Sequence, residues 1–347
     1  MAKSIHEQIK EAAERDLYTF AQLVNPMRVY GDIHKEVFRW LMNMEVPNQL
    51  LLLPRAHMKS HCVAVWCTWW ITKNPETTIL YVSATSTLAE AQLYSIKGML
   101  DSDPYRLYWP DMTNPDEGKR EKWSTSAISV DHPKRKREGV RDPTIVTAGL
   151  TTNTTGFHAD VVIPDDVVVP DNAYTEEGRR KCSAAMSQMA SILNTGGNIK
   201  ACGTRYHPSD QYRIWKEQMV PVYDDDDNIV DQEHIWEILE KVVEKNGDFL
   251  WPRETRDDGK SFGFNRKELA RISAMYTDRT QFYAQYYNDP NDPESNRLDD
   301  SRFQYYEPKR VVYEGGQWYV NKKPMNVYAG IDFAYSLSKK ADYTALV

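Results

Sequence analysis

The sequence predicts an α/β protein built on a mainly parallel β-sheet that is covered by helices on both faces. Apolar strands alternate with amphipathic helical segments from residue 50 to residue 202. A Lys-Ser pair stands where the first helix after a strand begins, and polar residues follow two later strands. With 347 residues, 41% of them hydrophobic, the chain can also bury a large core.

Charge and composition narrow the class of protein. The formal net charge of −7 argues against a passive nucleic-acid coat, because such proteins neutralise many phosphates. Basic residues are still concentrated in the runs 119–122, 134–137 and 179–181, and Asp224 to Asp227 form an acidic turn. The longest apolar stretch, 63–71, is too short to span a bilayer, and no secretory segment opens the chain. These features favour a cytoplasmic protein.

Cysteine and histidine spacing gives little sign of a metal site. The cysteines fall in predicted helices or strands without Cys-x-x-Cys spacing, which indicates buried thiols: Cys62, Cys67, Cys182 and Cys202. His57 and His61 are four residues apart, as zinc ligands on one helical face can be. No third ligand accompanies them in the sequence, so a zinc site is disfavoured.

The first strand and the loop after it carry the first chemical signal. A strand is predicted over 50–53 and a helix over 61–72, after helices over 1–20 and 32–44. Between them lies Pro54-Arg55-Ala56-His57-Met58-Lys59-Ser60. In a phosphate-binding loop, Lys reaches the β- and γ-phosphates and Ser holds Mg²⁺, roles that suit Lys59 and Ser60. Leu53 and Met58 replace the usual glycines, so the loop alone is a weak signal.

Two further strands end in groups that suit the same site. A strand is predicted over 160–163, and it leads to Asp165 and Asp166. The elements predicted before it are a strand over 78–83, a helix over 86–101, a surface excursion over 102–125 and short strands over 126–130 and 144–148. An ATPase needs one acid to order Mg²⁺ and a second to orient the attacking water. A helix over 176–195 precedes a strand over 198–202, which ends in Gly203-Thr204-Arg205. We expect these ends to meet, because ligands bind at the carboxyl edge of parallel sheets.

The chain changes character after Arg205. Residues 216–262 are polar, a Tyr-rich helix is predicted over 265–288, and 289–293 is typical of a linker. The helix carries aromatic side chains that we interpret as core rather than as a base-stacking surface: Tyr276, Phe282, Tyr283, Tyr286 and Tyr287. Strands are predicted over 327–334 and 342–347. Because the second ends without sheet partners, we expect the sequence to continue.

The order of these motifs resembles the large terminase subunit of tailed bacteriophages, the DNA-packaging motor, and in particular its DNA-maturase type. The motifs are P-R-A-H-M-K-S, I-L-Y-V-S-A-T-S, T-G-F-H-A-D-V-V-I-P-D-D, A-C-G-T-R, Q-F-Y-A-Q-Y-Y-N-D-P and A-G-I-D-F-A. The resemblance implies an ASCE-type P-loop ATPase core over 1–215, in which an extra strand separates the Lys strand from the Asp strand. It further implies a small lid or linker subdomain over 216–295 and, over 296–347, the incomplete start of a ribonuclease H-like nuclease.

The resemblance also implies roles for single residues in the ATP site. The loop 54–60 would bind ATP, with Arg55 acting on the γ-phosphate and Ser60 on Mg²⁺. Asp165 would be the metal-ordering acid and Asp166 the catalytic one. Many terminases have Glu at the second position, so Glu176 is kept as an alternative catalytic acid.

Further implied roles lie outside the Lys and Asp strands. Thr204 would belong to a coupling motif that senses hydrolysis, and 30–34 falls where the family contacts adenine. Asp332 would be the first ligand of a nuclease that uses Mg²⁺ or Mn²⁺. Thr155 stands where many terminases carry an Arg that serves a neighbouring subunit, which leaves Arg137 and Arg141 as candidates for that role.

The implied function is an ATP-hydrolysing motor that moves double-stranded DNA into a procapsid. The implied partners are the portal protein, the small terminase subunit and further copies in a homo-oligomeric ring, in the host cytoplasm and away from membranes. Two alternatives remain. A helicase or translocase of another P-loop family would need a second recombinase-like domain, and a non-catalytic DNA-binding scaffold would leave Lys59, Asp165 and Asp166 unexplained.

Overall fold

The computed structural model describes residues 3–291, 308–325, 331–332 and 345–346. The chain divides into two compact units, Met1–Asp292 and Pro293–Val347. Asp332 is described only as part of a strand, so the role predicted for its side chain lies outside the described residues.

Helices and strands alternate through most of the first unit. The α-helices are α1 (Ile5–Arg15), α2 (Leu17–Val24), α3 (Asp32–Leu41), α4 (Lys59–Lys73), α5 (Ser86–Leu100), α6 (Asp103–Tyr108), α7 (Pro133–Glu138), α8 (Pro170–Ala173), α9 (Glu176–Ile192), α10 (Gln211–Glu217), α11 (Arg266–Ser273) and α12 (Arg279–Tyr287). The longer strands are β1 (Asn48–Leu52), β2 (Ile79–Ser83), β3 (Ala127–Ile128), β4 (Ile145–Gly149), β5 (Ala159–Pro164), β6 (Leu193–Gly203), β7 (Met219–Tyr223), β8 (Ile229–His234) and β9 (Glu237–Glu240). Short pairs follow as β10 (Glu244–Lys245) with β11 (Asp248–Phe249), and β12 (Glu254–Thr255) with β13 (Ser261–Phe262).

Seven strands form the central sheet, in the order β3-β4-β2-β5-β6-β1-β9. Every neighbouring pair is parallel except β3 with β4. Strand β6 lies between β1, which leads to Lys59, and β5, which leads to Asp165. This is the strand insertion that the ASCE class requires, so the predicted fold class of the ATPase part is confirmed.

The leucines of β1 show why both faces of the sheet are covered. Leu51 and Leu53 point into one core, with residues of α1 to α5, while Leu50 and Leu52 point into a second core with residues of α9 and α10. All four are fully buried. Side chains alternate between the two faces of a strand, and a strand buried on both faces is therefore apolar throughout.

Three predicted elements needed correction. The helix predicted over 1–20 is broken because the Asp16 side chain accepts from Thr19 N (2.7 Å) and caps a new helix, α2. In the same way, Asp278 caps α12, which separates α12 from α11 within the helix predicted over 265–288. The surface excursion predicted over 102–125 contains α6, and its Tyr105 is fully buried in the core.

Strand β9 joins the central sheet from beyond residue 215. It pairs in parallel with β1 from Gln49 to Leu52, so the predicted boundary after residue 215 does not coincide with the end of the central sheet. The strand was not predicted because it is short and carries Glu at both ends, which hides its periodicity. All the predicted domain bounds stay predictions. The aromatic residues of α12 pack in a third cluster with Val243, Phe264 and Leu269, which confirms their interpretation as core.

The described part of the second unit consists of short strands. Strands β14 (Val311–Glu314), β15 (Gln317–Val320) and β16 (Lys323–Met325) form an antiparallel sheet after a 3₁₀ turn at Pro308–Arg310. Strand β17 (Ile331–Asp332) pairs antiparallel with β18 (Ala345–Leu346). These strands do not test the predicted nuclease, which stays a prediction.

Candidate active site

The loop between β1 and α4 holds two non-glycine residues in the left-handed region of backbone conformation. Met58, directly before α4, has φ 52°, and Ala56 has φ 63°. The left-handed region costs a non-glycine residue about 1–2 kcal/mol, so the surrounding contacts must hold the loop in this shape. Lys59 is consequently the first residue of α4, and its side chain is 11% exposed.

Four residues predicted for one site meet at the ends of β1 and β5. The Lys59 Nζ atom lies 3.0 Å from Asp166 Oδ2, and the Ser60 hydroxyl donates to Asp165 Oδ1 at 2.8 Å. Burial disfavours the charge of Lys59, but Asp166 and Asp165 together outweigh that effect and raise the pKa of the ammonium. The arrangement places one cation, one hydroxyl and two carboxylates within reach of the same small volume.

Asp165 is the buried member of the acid pair. Its Oδ2 atom accepts from the Tyr81 hydroxyl at 2.8 Å, and Oδ1 accepts from Cys202 Sγ at 2.9 Å. Burial, and then the neighbouring charge of Asp166, raise the pKa of Asp165 to about 6, against the opposing effect of Lys59. Sequence reasoning missed Tyr81 and Cys202, although both lie in strands that flank β5.

The end of β6 lies directly beside the acids. The Asp166 N–H donates to Cys202 O at 2.9 Å, and Asp166 itself has φ 47°. Thr204 follows β6 and is buried. A side chain on Gly203 would approach the Tyr212 hydroxyl to 1.9 Å, so only glycine fits at this crossing. The predicted coupling motif is thus adjacent to the predicted catalytic acid.

Arg55 connects the loop to α12. Its Nη1 atom donates to Tyr206 Oη (3.0 Å) and to Gln285 Oε1 (2.9 Å), and its backbone N–H donates to Gln285 O (2.9 Å). Burial opposes its charge, but the pKa of Arg55 is raised overall because Tyr206, Tyr276 and Asp166 surround it. Gln285 was not predicted to be part of the site, and its place in Q-F-Y-A-Q-Y-Y-N-D-P is the only signal that could have pointed to it.

The two histidines near the loop face different partners. His57 stacks on Phe264 with ring centroids 5.0 Å apart, whereas His61 Nε2 lies 2.9 Å from the Tyr30 hydroxyl. Burial lowers the pKa of both imidazoles to about 4. Tyr30 therefore contacts α4 through His61, and its ring also lies against His34, with centroids 5.9 Å apart. No group of three or more His, Cys, Asp or Glu side chains in the described residues is arranged to hold a metal ion.

One cavity adjoins the loop, and a second lies along segment 24–28. One, of about 390 Å³, is lined by Ala56, Met58 and Phe262 among others, and a second, of about 380 Å³, extends along Asn25 to Arg28. Arg28 lines both cavities. Glu176, by contrast, is exposed in the first turn of α9, and Lys59 pairs with Asp166 instead.

Part of the chain is similar in sequence to a large terminase subunit. No protein-family model matches the chain. A segment of 135 residues, 39% of the chain, is 30% identical to the large terminase subunit of Enterobacteria phage T3. The predicted resemblance to large terminase subunits is confirmed. The segment corresponds to 21% of the T3 terminase, so the chain matches about a fifth of that relative's length.

Solved terminase structures show only a distant likeness. The large terminase ATPase domain of Thermus phage P74-26 occurs in two structures, with TM-scores of 0.46 and 0.43, 13% identity and coverage of 78% of this chain and 97% of that domain. The Phi-28 gp11 DNA packaging motor has a TM-score of 0.38 at 12% identity, covering 84% of this chain and 74% of the motor. No helix in the described ranges is long and apolar enough to cross a membrane.

Proposed function

We propose that the chain is the ATP-hydrolysing motor part of a large terminase subunit, which moves double-stranded DNA into a procapsid. The observation that carries the proposal is the pairing of Lys59 with Asp166 and of Ser60 with Asp165 beside an inserted strand. A non-catalytic scaffold gives no reason for these contacts. The proposed partners are the portal protein, the small terminase subunit and further copies in a ring, in the host cytoplasm.

The donor set suits Mg²⁺ together with a nucleoside triphosphate. Ser60 Oγ and Asp165 Oδ1 are oxygen atoms 2.8 Å apart, and oxygen is the donor that this hard cation prefers. Bound Mg²⁺ would neutralise charge on the phosphate oxygens. Lys59 would reach the same phosphates from the first turn of α4, where helix N–H groups also point toward an anion.

Hydrolysis requires an acid that can orient water and a rigid frame around it. Asp166 is 38% exposed at its side chain and can accept a proton from water, whereas Asp165 is buried and committed to three donors. We therefore propose Asp166, rather than Glu176, as the catalytic acid. Thr204, at the end of β6, would sense hydrolysis. Arg55 would link the loop to α12.

A cation from a neighbouring copy would complete the site. Arg141 is exposed, and its Nη2 atom donates to Gly156 O at 2.7 Å, beside the position of Thr155. We propose Arg141, rather than Arg137, as the residue that acts across the subunit contact. Phe262 and Arg28, which line both cavities, would contact the base of the nucleotide.

ATP turnover, measured with and without duplex DNA, tests this function. Wild-type chain should hydrolyse ATP, and Lys59→Ala should abolish the activity because the γ-phosphate loses its cation. Lys267→Ala, an exposed lysine on α11, is the matched control and should leave the rate unchanged. Turnover by Lys59→Ala at the wild-type rate would refute the site. ATP-driven separation of duplex strands would instead favour the helicase alternative.

A further inference from the structure

Strands β7 and β8 form a hairpin that is exposed over most of its length. Every residue of β8 is exposed, as are most of those in β7. Large apolar side chains lie on this exposed pair: Met219, Val220, Tyr223, Ile229 and Val230. The connecting turn consists of exposed acids, Asp224 to Asp227.

Such a hairpin is unusual for a chain acting alone. A two-stranded hairpin without a covered face is marginally stable in water, and a partner that covers it supplies the packing that it lacks. Ile229 and Val230 are 62% and 61% exposed, although both residues favour half-buried strands. The hairpin therefore exposes apolar side chains on both of its faces, between polar ones, and ends in an acidic tip that a basic surface would complement.

The chain itself offers a basic surface of the required kind. Helix α7 is anchored through buried Arg135, which donates to the carbonyl groups of Pro75, Glu76 and Thr77. Its Lys136 and Arg137 are exposed and form no ion pair with any described residue. The anchor thus fixes two uncompensated cations at the surface.

The two surfaces lie at opposite edges of the same sheet. The hairpin is joined to the β9 edge, where Ile235 N donates to Gln218 O at its base (3.2 Å) and β9 follows directly. Helix α7 connects β3 to β4, at the other edge. Because complementary surfaces on opposite sides cannot meet within one copy, they favour a head-to-tail contact between copies, which closes into a ring or extends as a filament.

We propose that the β7–β8 hairpin of one copy docks on the β3 edge of a second copy, with the Asp224 to Asp227 turn facing Lys136 and Arg137. The same edge exposes Tyr94, which is 79% exposed and lies one turn from Lys97, a lysine that donates to Ser124 O near β3. Tyr94 gives the apolar hairpin a contact besides the charges. The contact itself does not depend on the proposed function. Only the closure of such contacts into a ring rests on it.

Charge reversal tests the contact, with sedimentation of the chain at low and high salt as the measurement. Asp225→Lys with Asp226→Lys should abolish self-association, and so should Lys136→Glu with Arg137→Glu, because each places like charges face to face. An equimolar mixture of the two variants should associate again, because every contact between unlike chains is then complementary. Lys245→Glu with Lys267→Glu is the control for net charge and should associate like wild type.

The outcomes separate this inference from other uses of the surfaces. Loss in both variants without recovery in the mixture would overturn the contact, and so would loss in the control pair. If the α7 variant loses duplex DNA binding while self-association is unchanged, α7 is a nucleic-acid surface and the proposal is wrong. Association is read without ATP, so recovery in the mixture supports the contact even if Lys59→Ala disproves the ATPase.

Cross-linking gives a second measurement that detects weak association. The four native cysteines are buried, so cysteines introduced at the surface should react selectively. A mixture of Asp226→Cys and Arg137→Cys chains should form a disulfide-linked dimer in excess over either chain alone. Asp226→Cys mixed with Lys267→Cys is the matched control. Equal yields from the two mixtures would contradict the proposed pairing.

Discussion

At the scale of single residues, the ion pair between Lys59 and Asp166 is the central interaction of the site. An ammonium at 3.0 Å from a carboxylate is partly neutralised before any nucleotide binds. A bound γ-phosphate would compete with Asp166 for the same cation. Asp166 would then be free of its ion pair and able to orient water. Nucleotide binding would in this way activate the catalytic acid.

Replacing Asp166 separates binding from hydrolysis. Asp166→Asn removes the charge but keeps the shape, so ATP should bind at least as tightly while turnover falls by several orders of magnitude. Nucleotide affinity by fluorescence titration and single-turnover hydrolysis are the two measurements. Glu176→Gln is the control and should hydrolyse ATP normally. The reverse pattern, with Glu176→Gln inactive and Asp166→Asn active, would move the catalytic acid to α9.

At the scale of structural elements, the loop before α4 is held in an unfavourable backbone conformation. Ala56 is exposed and has φ 63°, so glycine at that position relieves strain without removing a buried side chain. Ala56→Gly should raise the free energy of unfolding by about 0.5–1 kcal/mol, measured by denaturant titration. The exposed helical residue Ala270 is the control, because Ala270→Gly should lower it by about 1 kcal/mol.

Three neighbouring strands share a second unusual contact. The buried Lys200 of β6 donates to Gln49 Oε1 of β1, and Gln49 Nε2 donates to Glu237 of β9 at 2.9 Å. Burial lowers the pKa of Lys200 to about 7, although Glu237 opposes the shift. The folded chain therefore holds this amine less readily protonated than the unfolded chain, whose lysine keeps a pKa of about 10.4.

This contact predicts a pH dependence of stability. Between about pH 7 and pH 10 the unfolded state binds a proton at Lys200 that the folded state does not, so the free energy of unfolding should rise with pH. Lys200→Met should reduce that rise, whereas Lys267→Met, at an exposed position, should not. Urea unfolding at several pH values measures the difference. An identical slope in wild type and Lys200→Met would show that Lys200 is charged in the folded chain.

At the scale of the whole molecule, the order of the central sheet relates the ATP site to possible neighbours. Strand β1 lies next to β9 at one edge, while the region of Arg141 and α7 follows β3 at the other. A head-to-tail contact would bring the β3 edge of one copy to the side of the next copy that carries β1. The sheet order thus accounts for the proposed docking contact.

Catalysis that needs a neighbour should depend on protein concentration. The ATPase rate per chain should increase with concentration in the wild type and stay low at all concentrations in Arg141→Ala, because the cation that acts across the contact is missing. Arg39→Ala, an exposed position on α3, should behave as wild type. Steady-state rates over a dilution series measure the effect. A constant rate in the wild type would count against any residue acting between copies.

The sequence by itself determined the elements of the ATPase core and most of the site. Strands such as Leu50–Leu53 and helices such as α5 follow from hydrophobic period, which is a local property. The meeting of Lys59, Ser60, Asp165 and Asp166 also followed, because the carboxyl ends of parallel strands share one edge. Strand order was predicted only through the resemblance to terminases.

Only the tertiary structure decided the features that depend on distant partners. Arg55 bonds Gln285, 230 residues further along the chain, and Asp165 accepts from Tyr81, 84 residues before it. Such contacts leave no local period in the sequence. The sequence did not predict strand β9 or the burial of Lys200 either. Polar residues in a strand are expected to be exposed, and only the neighbouring strands show that their hydrogen-bond partners allow burial.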